Sequence, residues 1–171
     1  MNNKLALVFP GQGSQSVGML AELHAEFATV RDTFAEASAA LGYDLWALVA
    51  NGPDTELNET HRTQPALLTA SVAVYRVWLE QGGDTPAYLA GHSLGEYSAL
   101  VCAGVLTLSD AVKLVEKRGQ YMQTAVPAGT GAMQAIIGLD DALIAKACAE
   151  AAHGEVVSPV NFNSPGQVVI A

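Results

Sequence analysis

An α/β protein built on a parallel sheet is what these 171 residues predict, and three observations carry that expectation. Leu5-Ala6-Leu7-Val8-Phe9 is an unbroken apolar run, the pattern of a strand buried on both faces as in a parallel sheet. Two strand candidates, this one and Tyr88-Leu89-Ala90, each run into a glycine-rich turn followed by helical periodicity. Half of the residues are apolar and 15% are charged, and a chain of about 150 residues buries roughly two thirds of its unfolded surface. A disordered or solvating acidic segment is excluded by that composition.

The 8 basic and 17 acidic side chains leave a net charge of −9, which lacks the electrostatic footprint of a nucleic-acid binder. Cys102 and Cys148 stand alone, with no paired spacing for a structural zinc or a disulfide framework. Leu5 to Phe9 is too short for a signal-peptide core, and no apolar stretch is long enough to span a membrane. The expectation is a soluble, cytoplasmic protein of a reducing compartment.

Along the chain, residues 19–41 read as one helix ending at Gly42. Residues 43–62 are mixed, with turn chemistry at Asn51-Gly52-Pro53-Asp54. A helix is expected from near Pro65, where proline suits a first turn, to Gly82-Gly83. Its apolar residues Leu68, Val72, Tyr75 and Leu79, broadened by Val74, Val77 and Trp78, predict burial on most sides. Another helix follows residue 93 and runs to about Cys102. The next starts at Ser109-Asp110 and is bounded by Pro127. Beyond it come strand-like stretches at 132–137 and 155–160, a helix over 140–152, and an apolar run Val168-Val169-Ile170-Ala171 with no cap after it. An end inside a strand predicts a fragment of a longer protein.

Gly91-His92-Ser93-Leu94-Gly95 fits G-x-S-x-G between a short strand and a helix. Two glycines permit a sharp turn that presents the Ser93 hydroxyl at the sheet edge. The helix that follows points its first amides at the same spot, and one oxyanion donor there is worth about 3–4 kcal/mol. Ser93 and Glu96 also spell a capping box, in which the hydroxyl merely caps. His92, adjacent on a tight turn, is suited to packing within the elbow rather than to acting as the base. His24 and His61 read as surface or cap residues. His153 sits at a helix end, where the dipole favours a solvated imidazole.

In the helix from 109 to 125, Lys113, Glu116, Lys117, Gln120 and Thr124 form a wet face. Arg118 falls among Ala111, Leu114, Val115, Met122 and Ala125 on the other. A guanidinium cannot shed its charge, so burial demands an anion or several acceptors. Three readings stay open: a structural ion pair, a stem that snorkels to water, or a clamp for a ligand carboxylate. The first glycine-rich turn, Phe9-Pro10-Gly11-Gln12-Gly13-Ser14-Gln15, has Ser16 where a dinucleotide fingerprint needs glycine, and no Walker lysine. Its other use is to bring backbone amides to a reacting carbonyl beside the serine turn.

Together, Phe9-Pro10-Gly11-Gln12-Gly13-Ser14-Gln15, Thr63-Gln64-Pro65-Ala66, Gly91 to Ala99, Arg118-Gly119 and Asn161-Phe162-Asn163-Ser164-Pro165-Gly166-Gln167 resemble the malonyl-CoA:acyl carrier protein transacylases and related acyltransferase domains of fatty-acid and polyketide synthesis. The resemblance implies an α/β-hydrolase-like core over 1–126 and the start of a smaller ferredoxin-like lobe over 127–171. It implies that Ser93 is the nucleophile, that Arg118 clamps the malonate carboxylate, and that the Gln12 and Leu94 amides form the oxyanion hole. Gln64, His92 and Asn163 would lie near the substrate. No metal or redox cofactor is implied; the coenzyme A thioester is substrate. The partners implied are malonyl-CoA, acyl carrier protein and a C-terminal segment holding the general-base histidine, so these residues alone are expected to be inactive.

Complete burial of Arg118 would make acetyl groups poor competitors by on the order of 3–5 kcal/mol. Because acyl carrier proteins in this chemistry are acidic, as this chain is, docking needs a local basic patch, for which Lys113, Lys117 and Lys146 are candidates. Two alternatives remain from sequence: a serine thioesterase or esterase on a similar core, and a non-catalytic binding module in which Ser93 only caps.

Overall fold

The computed structural model describes residues 2–126 and 130–171. Its contacts divide the chain into two units, Met1–Ala125 and Val126–Ala171. The expected helix stop and lobe boundary at Pro127 lie outside the described residues.

In the first unit, β1 (Asn2–Phe9) pairs in parallel with β2 (Pro86–Gly91), in register Ala6↔Tyr88 through Phe9↔Gly91. A parallel pair needs a crossover, and five helices supply it: α1 (Ala21–Glu26), α2 (Ala28–Leu41), α3 (Leu45–Asn51), α4 (Asp54–Leu57) and α5 (Thr60–Glu80). After β2 come α6 (Leu94–Cys102) and α7 (Leu108–Thr124). The predicted mixture of helix and parallel strand is therefore present.

The burial predicted for β1 is not. Phe9 is buried and Leu5 and Leu7 are half-buried, but Lys4, Ala6 and Val8 are exposed, Val8 by 76%. An apolar run reports that a strand is meant to be covered. It does not report whether the covering elements are present, and here β1 has one strand neighbour.

The 19–41 helix is broken in two at Phe27, whose extended backbone (φ −104°, ψ 122°) both ends α1 and starts α2. Arg31 turns back to donate to the carbonyls of His24 at 2.5 Å and Ala25 at 3.1 Å, partnering groups that a helix C-terminus leaves open. Phe27 meanwhile packs on the core. Helix α5 starts at Thr60, five residues before the expected position, with Pro65 inside its second turn. Its first half is buried all round, Thr63 to Ala70 without interruption, against α2, α6 and α7. Its second half emerges, leaving Val74, Trp78 and Leu79 about 40% exposed, so burial on most sides holds for only half of the helix. Each large aliphatic side chain buried here, such as Leu68 and Leu94, contributes about 1.5–3 kcal/mol.

Helix α7 also starts earlier than Ser109. Thr107 caps it, accepting from the Asp110 amide at 3.1 Å while its own hydroxyl donates to Asp110 Oδ2 at 2.7 Å.

The second unit is β3 (Gln134–Ile137), α8 (Asp141–Ala151), β4 (Pro159–Ser164) and β5 (Gln167–Ile170). The strands form an antiparallel sheet in the order β3-β5-β4. Ile144 and Cys148 of α8 pack with Val168 of β5 as its small core. Asp140 caps α8 by accepting from Ala142 N–H. The strand expected over 155–160 is displaced to 159–164, because Pro165-Gly166 makes a tight turn (Gly166 φ 73°) that fixes β4 against β5. No described helix is long and apolar enough to cross a membrane.

Candidate active site

The chain turns sharply from β2 into α6 at Ser93, and the reason is steric. A Cβ on Gly91 would lie 2.0 Å from the Gly95 carbonyl carbon, and one on Gly95 would lie 2.3 Å from the Phe9 carbonyl oxygen. Both positions of the pentapeptide therefore admit glycine alone. Ser93 itself holds φ 54° and ψ −108°, a backbone region that costs a non-glycine residue about 1–3 kcal/mol and persists where surrounding packing enforces it. Its hydroxyl makes no capping bond to α6, so the bland capping reading does not describe this serine. The Leu94 amide, first in α6, finds no acceptor among the described residues.

The loop after β1 is packed against this turn. A Cβ on Gly11 would meet the His92 carbonyl at 3.1 Å and its Nδ1 at 3.4 Å. Gln12, next in the chain, is exposed beside that contact. His92 is exposed, and its carbonyl accepts from Gly95 N–H at 2.9 Å.

Arg118 reaches the same place from α7. Its Nη2 donates to Ser93 Oγ at 3.0 Å and its Nη1 donates to Gln64 Oε1 at 2.6 Å. The guanidinium also lies 5.7 Å from the Tyr97 ring centroid. No carboxylate of the described residues lies within 4.0 Å of it, unlike Arg62 and Arg76, which pair with acidic side chains. The ion-pair reading of Arg118 is thereby removed. Deep burial is removed too: Arg118 is half-buried, and Leu114 and Met122 beside it are exposed by 47% and 46%. Periodicity gives the side of a helix on which a residue falls, not how far a neighbour covers it.

Gln64 is fully buried. Its Nε2 donates to Thr60 Oγ1 at 2.9 Å and to Met122 Sδ at 3.4 Å, which turns Oε1 toward Arg118. Helices α5 and α7 come close enough for this because Gly119 sits on the α5 backbone. A Cβ there would lie 2.4 Å from His61 Cα and 2.8 Å from the Thr60 carbonyl oxygen. Thr60, Met122 and Tyr97 are contributors that sequence reasoning did not single out. The first two stand one turn from Gln64 and from Arg118, so the signal was an i,i+4 spacing that needs the correct helix start to be seen.

Asn163 is exposed on β4 of the second unit. His24 stacks on Trp46 with ring centroids 3.7 Å apart, and burial, helped by Arg31, lowers its pKa. His61 Nδ1 is 2.7 Å from Gln123 Oε1. His153 follows α8 with φ 44°. His92 neighbours Ser93 in the chain. No group of three or more described His, Cys, Asp or Glu side chains could hold a metal.

A strained serine at a strand-to-helix turn thus lies beside a guanidinium that has no carboxylate of the described residues within 4.0 Å. The chain belongs to the acyl transferase domain family, which it matches over residues 6–171. It is 74% identical over 168 residues to the malonyl CoA-acyl carrier protein transacylase of Escherichia coli K12, and 48% identical over 170 residues to that of Bacillus subtilis strain 168. Those alignments cover 98% and 99% of this chain and 54% and 53% of the relatives, so the chain spans about half their length. Among solved structures, it is similar to an acyl carrier protein S-malonyltransferase of Vibrio cholerae, with a TM-score of 0.90 and 73% identity over 96% of this chain and 54% of that one. It is also similar to a malonyl-transacylase solved in complex with a type II polyketide acyl-carrier protein, with a TM-score of 0.92 and 67% identity over 96% and 53%.

Proposed function

We propose that this chain supplies the nucleophile half of a malonyl-CoA:acyl carrier protein transacylase. The observation that carries the reading is the Arg118–Ser93 contact of 3.0 Å in the absence of any carboxylate within 4.0 Å of the guanidinium among the described residues. A permanent cation that touches the attacking oxygen, with donors to spare, fits an acyl group whose far end is an anion.

Ser93 Oγ attacks the malonyl thioester carbonyl. An O–C bond forms, the C–S bond breaks, coenzyme A leaves as the thiol, and its proton is the one given up by Oγ through a base. The thiol of the carrier protein's phosphopantetheine arm then attacks the malonyl-serine ester and returns that proton. The Gln12 and Leu94 amides face the oxyanion in both steps. Arg118 takes the substrate carboxylate, and Gln64 holds it in place. His92 packs the elbow against the first loop, and the family resemblance assigns Asn163 to substrate binding. The resemblance places the general-base histidine in a C-terminal segment beyond residue 171. Malonyl-CoA, acyl carrier protein and that segment are the partners, and the cytoplasm, suited to the free Cys102 and Cys148, is the compartment.

The fold that accompanies this reading is an α/β-hydrolase-like core over 1–126 and the beginning of a ferredoxin-like lobe over 127–171. Supporting it are the parallel β1–β2 pair that ends in a nucleophile turn and the β-α-β-β order of the second unit. Incubating the full-length protein with malonyl-CoA tests the function. The expected result is a malonyl adduct on Ser93 by intact mass and peptide mapping, discharged by holo acyl carrier protein. Adduct on another residue, or loss of the acyl group to water at the same rate without the carrier, would overturn it.

A further inference from the structure

The loop that carries Gln12 is held by a strut with no assigned role. Residues 10–20 contain no helix or strand. Gly11 is packed against His92 on one side of Gln12, and on the other side Gly13 (φ 101°) donates its N–H to Gln15 Oε1 at 2.8 Å. The Gln15 side chain continues outward: Nε2 donates to Asn58 Oδ1 at 2.7 Å, and Asn58 Nδ2 donates to Asp54 Oδ2 at 2.8 Å. Asp54 lies in the first turn of α4 and Asn58 caps its end, so the chain of bonds is anchored on a helix that Leu57 buries in the core. Farther along, Gly18 N–H bonds the Val49 carbonyl at 2.8 Å. The Gln12 amide is thus pinned on both sides, and the second pin is made of side chains 43 residues away.

We infer that Gln15 and Asn58 are positioning residues: through Gly13 they hold the Gln12 amide at the spot where the oxyanion forms. This rests on the acyl-transfer reading above. An oxyanion donor acts through preorganisation, and a displacement of about 1 Å can cost roughly 100-fold in rate. In a loop without secondary structure, the bond from Gly13 to Gln15 fixes the side of the Gln12 amide that the Gly11–His92 packing does not. The polarity of the strut is specific. Asn58 must accept from Gln15 and donate to Asp54, which an amide does and a carboxylate does not.

The test uses the full-length protein and single-turnover acylation by malonyl-CoA. Asn58→Ala and Asn58→Asp are each expected to slow acylation roughly 10- to 100-fold with little change in malonyl-CoA affinity, because Arg118 is untouched. The double variant Asp54→Asn, Asn58→Asp reverses the donor and acceptor of the outer bond while preserving the bond to Gln15. It is expected to recover most of the wild-type rate. Thermal melts of the same proteins separate positioning from folding: the rescue must appear in rate at matched Tm. Wild-type rate in Asn58→Ala, or failure of the double variant to recover at matched Tm, overturns the strut. A wild-type protein that forms no acyl-serine would instead overturn the acyl-transfer reading itself.

Discussion

Arg118 and Ser93 are joined directly: the guanidinium donates to the hydroxyl oxygen at 3.0 Å, and Gln64 holds the other arm of the fork at 2.6 Å. Two of the five guanidinium N–H groups are thereby used, and the others remain for a ligand. A cation that contacts Oγ favours negative charge developing on it, so in the proposed reaction one side chain serves both the nucleophile and the substrate.

Arg118→Ala is expected to erase most preference for malonyl over acetyl. Full burial would have set that preference near 3–5 kcal/mol. The half-buried position lowers the expectation to the range of a charge-assisted hydrogen bond, about 1.5–3 kcal/mol, or roughly a 10- to 150-fold loss of discrimination. Arg118→Lys should recover little, since a point charge cannot fork between Gln64, Ser93 and a carboxylate. Competition between the two acyl-CoA substrates measures both.

Ser93 carries a cost that the fold imposes. At φ 54° a side chain is strained, and glycine relieves that strain while adding freedom to the unfolded chain. Ser93→Gly should therefore stabilise the protein by about 0.5–2 kcal/mol and abolish the acyl adduct. Urea melts and intact mass on one preparation decide it. A less stable Ser93→Gly protein would mean that the turn is not strained.

Much of this was visible in sequence. The elbow announces itself in Gly91-His92-Ser93-Leu94-Gly95, and periodicity groups Arg118 with Ala111 and Val115, both buried here. What escaped has identifiable causes. Pro65 imitates a first-turn proline, so the sequence puts Thr60 in the mixed stretch 43–62 and does not foretell its bond to Gln64. Phe27 breaks a helix that its own neighbours favour, because packing of its ring outweighs local propensity. The Gln15–Asn58 link joins positions far apart in the chain, and no local pattern encodes it.

Gly119 sets the depth at which α7 crosses α5. With a Cβ 2.4 Å from His61 Cα, Gly119→Ala must push the helices apart. Overpacking of this kind costs typically about 1–3 kcal/mol. The same displacement withdraws Arg118 from Gln64, so discrimination between malonyl and acetyl should fall together with Tm. A variant that loses stability but keeps full discrimination would show that the crossing does not position Arg118.

Cys102 gives a test by pH. Burial, opposed by Arg76, raises its thiol from 9.0 to about 12. The unfolded chain loses this proton above pH 9 while the folded one keeps it, so the folded state binds more protons in that window. Stability associated with the neutral thiol is complete below pH 9 and declines as pH rises toward 12. Cys102→Ala should remove this decline, at the expense of a small cavity where Cys102 packs against the core. Thermal melts of both proteins between pH 7 and roughly pH 10.5 should thus converge as pH rises. Parallel curves would show that the Cys102 thiol titrates alike in both states.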